Sequence, residues 1–224
     1  MLGQYELSLS RLPVARYAWA DQLFKSGEYE KAAEQFDLLG DMTDSAERAR
    51  ESRYQWGLKQ MEAGEYEQAK TVFALIADYR DAANQGKECD YRIAAGLLEA
   101  GKPEEAQKIF SALGSYSDSE TRTSECVYRR AEALLAEGKY ASAQELYASV
   151  DYQDSAEKAK ECAYREGDRL YQEKQYAEAE SWFAGVQDYL DGAERAKDSR
   201  LQQGKALMEA EDYQGALACL ETLE

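Results

Sequence analysis

Histidine is absent from the 224 residues. With it go the commonest general base, the commonest metal ligand and every His-based triad. Only two prolines occur, so helices run largely uninterrupted. No apolar run approaches the ~18 residues of a membrane span; "TVFALIA" (71–77) is among the longest. The opening "MLGQYELSLSRL" has no basic segment followed by an apolar one, which predicts no signal peptide. Basic residues are scarce too. Lys and Arg number 27 against 44 Asp and Glu, a formal net charge of −17. That argues against nucleic acid, whose affinity rests on neutralised phosphates, and against docking on anionic lipid. "GLLEAGKP" (96–103) comes near a phosphate-binding loop, but Pro103 stands where the metal-binding hydroxyl belongs. These absences leave no catalytic residues, no metal site and no cofactor to expect.

What is present is repetition. "DMTDSAERARESRY" (41–54), "DYRDAANQGKECDY" (78–91), "SYSDSETRTSECVY" (115–128), "DYQDSAEKAKECAY" (151–164) and "DYLDGAERAKDSRL" (188–201) start 37, 37, 36 and 37 residues apart. Catalytic constellations are rarely copied at even spacing; structural joints are. Between the joints a second unit recurs, with Ala32, Ala69, Ala106, Ala143, Ala179 and Ala216 in one column. Four residues on stand Phe36, Phe73, Phe110, Tyr147, Phe183 and Leu220. Three further on stand Leu39, Ile76, Leu113, Val150, Val186 and Leu223. Steps of four and three trace one face of an α-helix.

Asp44, Asp81, Asp118, Asp154 and Asp191 sit where a helix N-cap is needed, and Glu47, Glu157 and Glu194 follow at capping-box spacing. From there no breaker intervenes before Gly64, Gly101 or Gly138. Each repeat therefore reads as a long helix of roughly 19 residues, a glycine turn and a shorter helix. Pro103 fits the first turn of a short helix.

These columns resemble the tetratricopeptide repeat (TPR) family. The small column of the long helix is Ala20, Gly57, Ala94, Ala131, Gly167 and Gly204; the turn position is Gly27, Gly64, Gly101, Gly138, Lys174 and Glu211. Tyr29, Tyr66, Tyr140, Tyr176 and Tyr213 follow the turn. The resemblance implies an all-α, TPR-like solenoid of about six repeats and twelve helices, a right-handed superhelix forming one domain over 1–224. Its repeats are expected at 13–43, 44–80, 81–117, 118–153, 154–190 and 191–224. The period of about 37 exceeds the family's roughly 34. The "Y-x-D-S" joint is similar to arrays in large, often membrane-anchored bacterial proteins.

In that family the longer helices line a concave groove. On them Glu88–Arg92, Glu125–Arg129 and Glu161–Arg165 are spaced i, i+4 in the favourable order, with Glu51–Gln55 and Asp198–Gln202 in the same columns. Read blandly, these are helix-stabilising pairs worth a few tenths of a kcal/mol each. Read functionally, Tyr54, Gln55, Tyr91, Arg92, Tyr128, Arg129, Tyr164, Arg165 and Gln202 form a groove ladder that grips a peptide. Cys89, Cys126 and Cys162 share one repeat position and are expected as small buried thiols.

The expected function is a non-enzymatic scaffold for a protein or peptide. The alternatives are a spacer segment of a larger protein and, third, an (α/α) glycosidase with a carboxylate pair. Unpaired cysteines and the lack of a leader favour the cytoplasm; a soluble segment of a membrane protein is the other option. The last repeat stops after its apolar positions. An uncovered strip drawn from Leu207, Met208 and Leu217 is expected there, to be met by further repeats or by an end-to-end homodimer.

Overall fold

The computed structural model describes residues 2–221, with side chains from Arg11 onward. Among them the chain is all helix and turn, without a strand. Contacts divide it into two compact units, Met1–Ser119 and Glu120–Glu224. The first holds α1 (Leu2–Lys25), α2 (Tyr29–Asp37), α3 (Ser45–Glu62), α4 (Tyr66–Ala74), α5 (Ala82–Glu99) and α6 (Pro103–Leu113). The second holds α7 (Ser119–Ala136), α8 (Tyr140–Ala148), α9 (Ser155–Gln172), α10 (Tyr176–Ala184), α11 (Gly192–Glu209) and α12 (Tyr213–Leu220). Helices pack on their neighbours in the chain, so each unit is three hairpins of a long and a short helix. This is the helical repeat array expected from the columns. One boundary differs: α1 begins at Leu2, well before the expected repeat start at 13, and Pro13 lies inside it.

The hairpin turn is built by the residue after the long helix. Gly64 has φ +79°, and its N–H and that of Glu65 bond back to Met61 and Gln60. This pair of bonds satisfies the last helical carbonyls and needs a left-handed residue between them. Lys174 makes the same turn at φ +62° without being glycine, closed by bonds to Tyr171 and from Gln175 to Leu170. Pro103 opens α6 in its first turn, as expected.

The core sits where each short helix meets its long partner. Ala32, Ala69, Ala106, Ala143 and Ala179 are 0% exposed. The aromatic column four residues on lies against the small column of the long helix: Phe73 against Gly57, Phe183 against Gly167. A ring fits there because the facing residue is small. Fully burying such a side chain contributes about 1.5–3 kcal/mol, repeated at each hairpin.

At the end of the array Met208 and Leu217 are exposed and Leu207 is half-buried. Leu223 lies outside the described residues. No described helix is long and apolar enough to cross a membrane.

Candidate functional site

The joint aspartates do not cap their helices in the expected way. Asp44, Asp81, Asp154 and Asp191 stand at the N-cap positions of α3, α5, α9 and α11, but no side-chain capping bond forms. Their ψ angles, 19° to 27°, depart from the extended backbone that aims a cap side chain at the amides behind it. The carboxylates turn instead to the preceding long helix. Tyr17 donates its hydroxyl to Asp44 at 2.7 Å, Tyr91 to Asp118, Tyr128 to Asp154 and Tyr164 to Asp191, each of these three at 2.5 Å, and Tyr54 donates to Asp81. Among the helices whose N-cap is described, a side-chain cap forms at α12, where Asp212 accepts from the Gly215 amide.

This arrangement divides the expected groove ladder in two. The rings of Tyr54, Tyr91, Tyr128 and Tyr164 lie edge-on to Phe73, Phe110, Tyr147 and Phe183, with centroids 5.2–6.0 Å apart. Tyr54 and Tyr128 are buried, Tyr91 and Tyr164 half-buried. The hydrogen bond to Asp81, then burial, pushes the Tyr54 phenol up to about 12. For Tyr164 burial acts first and the bond to Asp191 second, to the same value. These tyrosines are committed, ring and hydroxyl, to joining one hairpin to the next.

The other half faces outward. Arg92, Arg129 and Arg165 keep about half of their side chains in solvent: 55%, 46% and 50%. Each is held by the carboxylate four residues back, Glu88 at 2.7 Å, Glu125 at 2.6 Å and Glu161 at 2.6 Å. Gln55 donates likewise to Glu51 at 2.9 Å, and Gln202 to Asp198 at 3.2 Å. The i, i+4 geometry read from the spacing is therefore present in all five. Each carboxylate has further work. Glu51 and Glu88 accept from the joint tyrosines Tyr79 and Tyr116 at 2.8 and 2.9 Å. A hydrogen bond from Lys158, opposed by burial and helped by Arg165, holds the Glu161 carboxyl below its ordinary range. Each of these guanidiniums is thus anchored on one edge by a carboxylate of its own helix.

In the second unit Arg165 borders a recess lined also by Tyr140, Asp168, Arg169, Gln172 and Arg195. The Arg165 guanidinium stands 6.0 Å over the Tyr140 ring. Arg169 bridges Glu166 and Glu173 at 2.6 and 2.7 Å, and Arg195 of α11 pairs with Asp168 of α9. Sequence reasoning missed Arg169 and Arg195. The Glu166–Arg169 spacing signalled the first. Nothing local signalled the second, which reaches its partner only because α11 stacks beside α9.

The cysteines have no part in these pairs. Cys89, Cys126 and Cys162 are fully buried, and burial pushes each thiol up to about 11. Thiols so far from the thiolate form are poor nucleophiles at neutral pH. Among the described residues no three acidic or cysteine side chains converge as a metal site would require. Scanned against family models and compared with curated proteins, the chain finds no match.

Proposed function

We propose that this chain is a TPR-like, non-enzymatic binding array that holds a peptide through the outward arginines of its long helices. The carrying observation is the arginines themselves: Arg92 in the first unit, Arg129 and Arg165 in the second, each half-exposed and pre-oriented by its own glutamate. A guanidinium fixed on one edge still presents N–H groups to a carboxylate or backbone carbonyl, and little side-chain entropy remains to lose. The tetratricopeptide reading draws support from the hairpins of 18- and 9-residue helices, the left-handed turn residue and the small column facing an aromatic one. A spacer role is the second reading. It is favoured by Tyr54, Tyr91, Tyr128 and Tyr164, which each donate their hydroxyl to a joint aspartate of the array itself.

A random peptide display library panned on the wild-type array tests the proposal. Enriched peptides should carry acidic side chains and lose binding to the triple variant Arg92→Glu, Arg129→Glu, Arg165→Glu while its circular dichroism is unchanged. Failure to enrich any peptide, or equal binding by the triple variant, would favour the spacer.

A further inference from the structure

Inside the second unit, a recess of about 400 Å³ opens between α8 and α10, over α9. It is lined by Ala159 and Ala163 of α9, by Ser181, Trp182 and Gly185 of α10 and by Gln144 of α8. Arg165 stands two residues past Ala163, so it lies on the far side of the helix and borders a different recess. Three repeat columns depart from their usual size here. Ala163 is the smallest member of a column that reads Arg16, Arg53, Asp90, Val127, Ala163 and Arg200. Gly185 is smaller than Leu38, Leu75, Ala112 and Ser149 in its own column. Trp182 is larger than Gln35, Val72, Ile109, Leu146 and Cys219 in the third. Two small residues hollow the surface, and a broad, half-buried ring borders the hollow.

Other joints show what this place can hold. Arg53 of α3 pairs with Asp37 of α2, Asp90 of α5 with Lys70 of α4, and Arg200 of α11 with Glu180 of α10. Each pair ties a long helix to the short helix before it. Between α8 and α9 the column of Lys70 and Glu180 holds Gln144, and the column of Arg53 and Arg200 holds Ala163, so no ion pair forms from these two positions. Among the described residues the side chains of Gln144, Ser181 and Trp182 make no hydrogen bond.

We infer that this recess takes the side chain of an arginine from a basic partner segment, in the place that Arg53 and Arg200 hold at other joints. A guanidinium can stack its flat face on the Trp182 indole and keep its in-plane N–H groups for the Gln144 amide oxygen and the Ser181 hydroxyl. Lys160 also borders the recess, but Asp188 neutralises it at 2.6 Å. The formal charge of −17 steers a basic segment to the chain rather than an acidic one. The site is separate from Arg92, Arg129 and Arg165 and does not rest on the peptide they are proposed to hold.

The three tryptophans, Trp19, Trp56 and Trp182, give separate indole N–H signals by NMR, and Trp182→Phe assigns the one at the recess. Titrating the full chain with N-acetyl-arginine amide in physiological salt should move the Trp182 signal saturably and leave the other two in place. N-acetyl-citrulline amide, nearly equal in shape but uncharged, should bind several-fold more weakly. Gln144→Glu supplies the acid that Glu180 supplies at the next joint, and should tighten arginine binding roughly tenfold. Ala163→Arg fills the recess from within and should abolish the shift; Arg53 and Arg200 show that a folded joint accommodates that side chain. The absence of a saturable shift would overturn the inference, as would equal shifts with N-acetyl-glutamate amide or N-acetyl-phenylalanine amide. So would a Gln144→Glu variant that binds arginine no more tightly than wild type.

Discussion

Tyr54 donates its hydroxyl to the carboxylate of Asp81, the residue that opens the following long helix 27 positions later. The same bond recurs at Tyr17–Asp44 in the first unit and at Tyr128–Asp154 and Tyr164–Asp191 in the second, so it fixes each hairpin relative to the next within its unit. Tyr54→Phe keeps the ring and removes the bond, and should cost about 1–2 kcal/mol, as hydrogen bonds to charged groups do when partly exposed.

The pair also sets a pH signature. The Tyr54 phenol is raised from 10.0 to about 12 by its bond to Asp81 and by burial. A raised folded value means stability that is full below pH ~10 and lost as pH climbs through about 12. Asp81 is lowered by the bond from Tyr54, so its share is full above the ordinary carboxylate range and lost as pH falls through its folded value. Chemical denaturation across pH should show Tyr54→Phe losing less stability than wild type on both limbs. Parallel pH curves for the two proteins would disprove the coupling.

Gly57→Ala sets two effects against each other. Alanine favours a helix interior by about 1 kcal/mol. A Cβ at Gly57 would lie 2.7 Å from the Phe73 ring, itself 1% exposed with no room to retreat. Overpacking of that kind costs about 1–3 kcal/mol and should win. Gly86→Ala is the control, since a Cβ there meets nothing within 4 Å; it should stabilise by about 0.5–1 kcal/mol. Two variants moving the melting midpoint in the same direction would contradict the packing described for α3 and α4.

The hairpins, their turns and their cores were legible because one residue type recurs at each position. Ala106 and Gly64 read correctly as a packed contact and a left-handed turn, since each has one main physical cause. Asp81 was misread because capping and cross-joint bonding ask for the same residue at the same place. What separates them is a ψ near 20°, which no local sequence signal carries. The Glu88–Arg92 pair was visible through its i, i+4 spacing. The recess beside Arg165 was not, because Asp168 and Arg195 lie 27 residues apart in sequence and meet only through the stacking of α9 and α11.

Lys174 and Glu211 occupy the turn position that glycine fills in the other four hairpins, both at φ +62°. A left-handed residue with a Cβ costs about 1–2 kcal/mol, and glycine's greater freedom in the unfolded chain returns about 0.5–1 of that. Lys174→Gly should therefore raise stability by about 0.5–1 kcal/mol, while Lys174→Ala gains nothing. A denaturation midpoint that rises equally with both would assign the effect to the lysine charge.

Tyr147 takes the place of Phe36, Phe73, Phe110 and Phe183 in the core column, and its hydroxyl is buried with no hydrogen-bond partner. Burial is the first cause of the rise of its phenol to about 12, followed by the nearby Glu132 carboxylate. An unsatisfied buried hydroxyl costs about 1–3 kcal/mol, whereas the void left by removing one oxygen costs a few tenths at about 24 cal/mol per Å³. Tyr147→Phe should then stabilise the second unit by about 1 kcal/mol. Tyr128, whose ring lies 5.2 Å away edge-on, gives the opposite case, because Tyr128→Phe removes a hydroxyl bonded to Asp154 at 2.5 Å. The same chemical change at neighbouring rings should move the melting midpoint in opposite directions. Destabilisation by both would mean that Tyr147 has a partner, a buried water being the candidate, and high-resolution density at its hydroxyl would then show it.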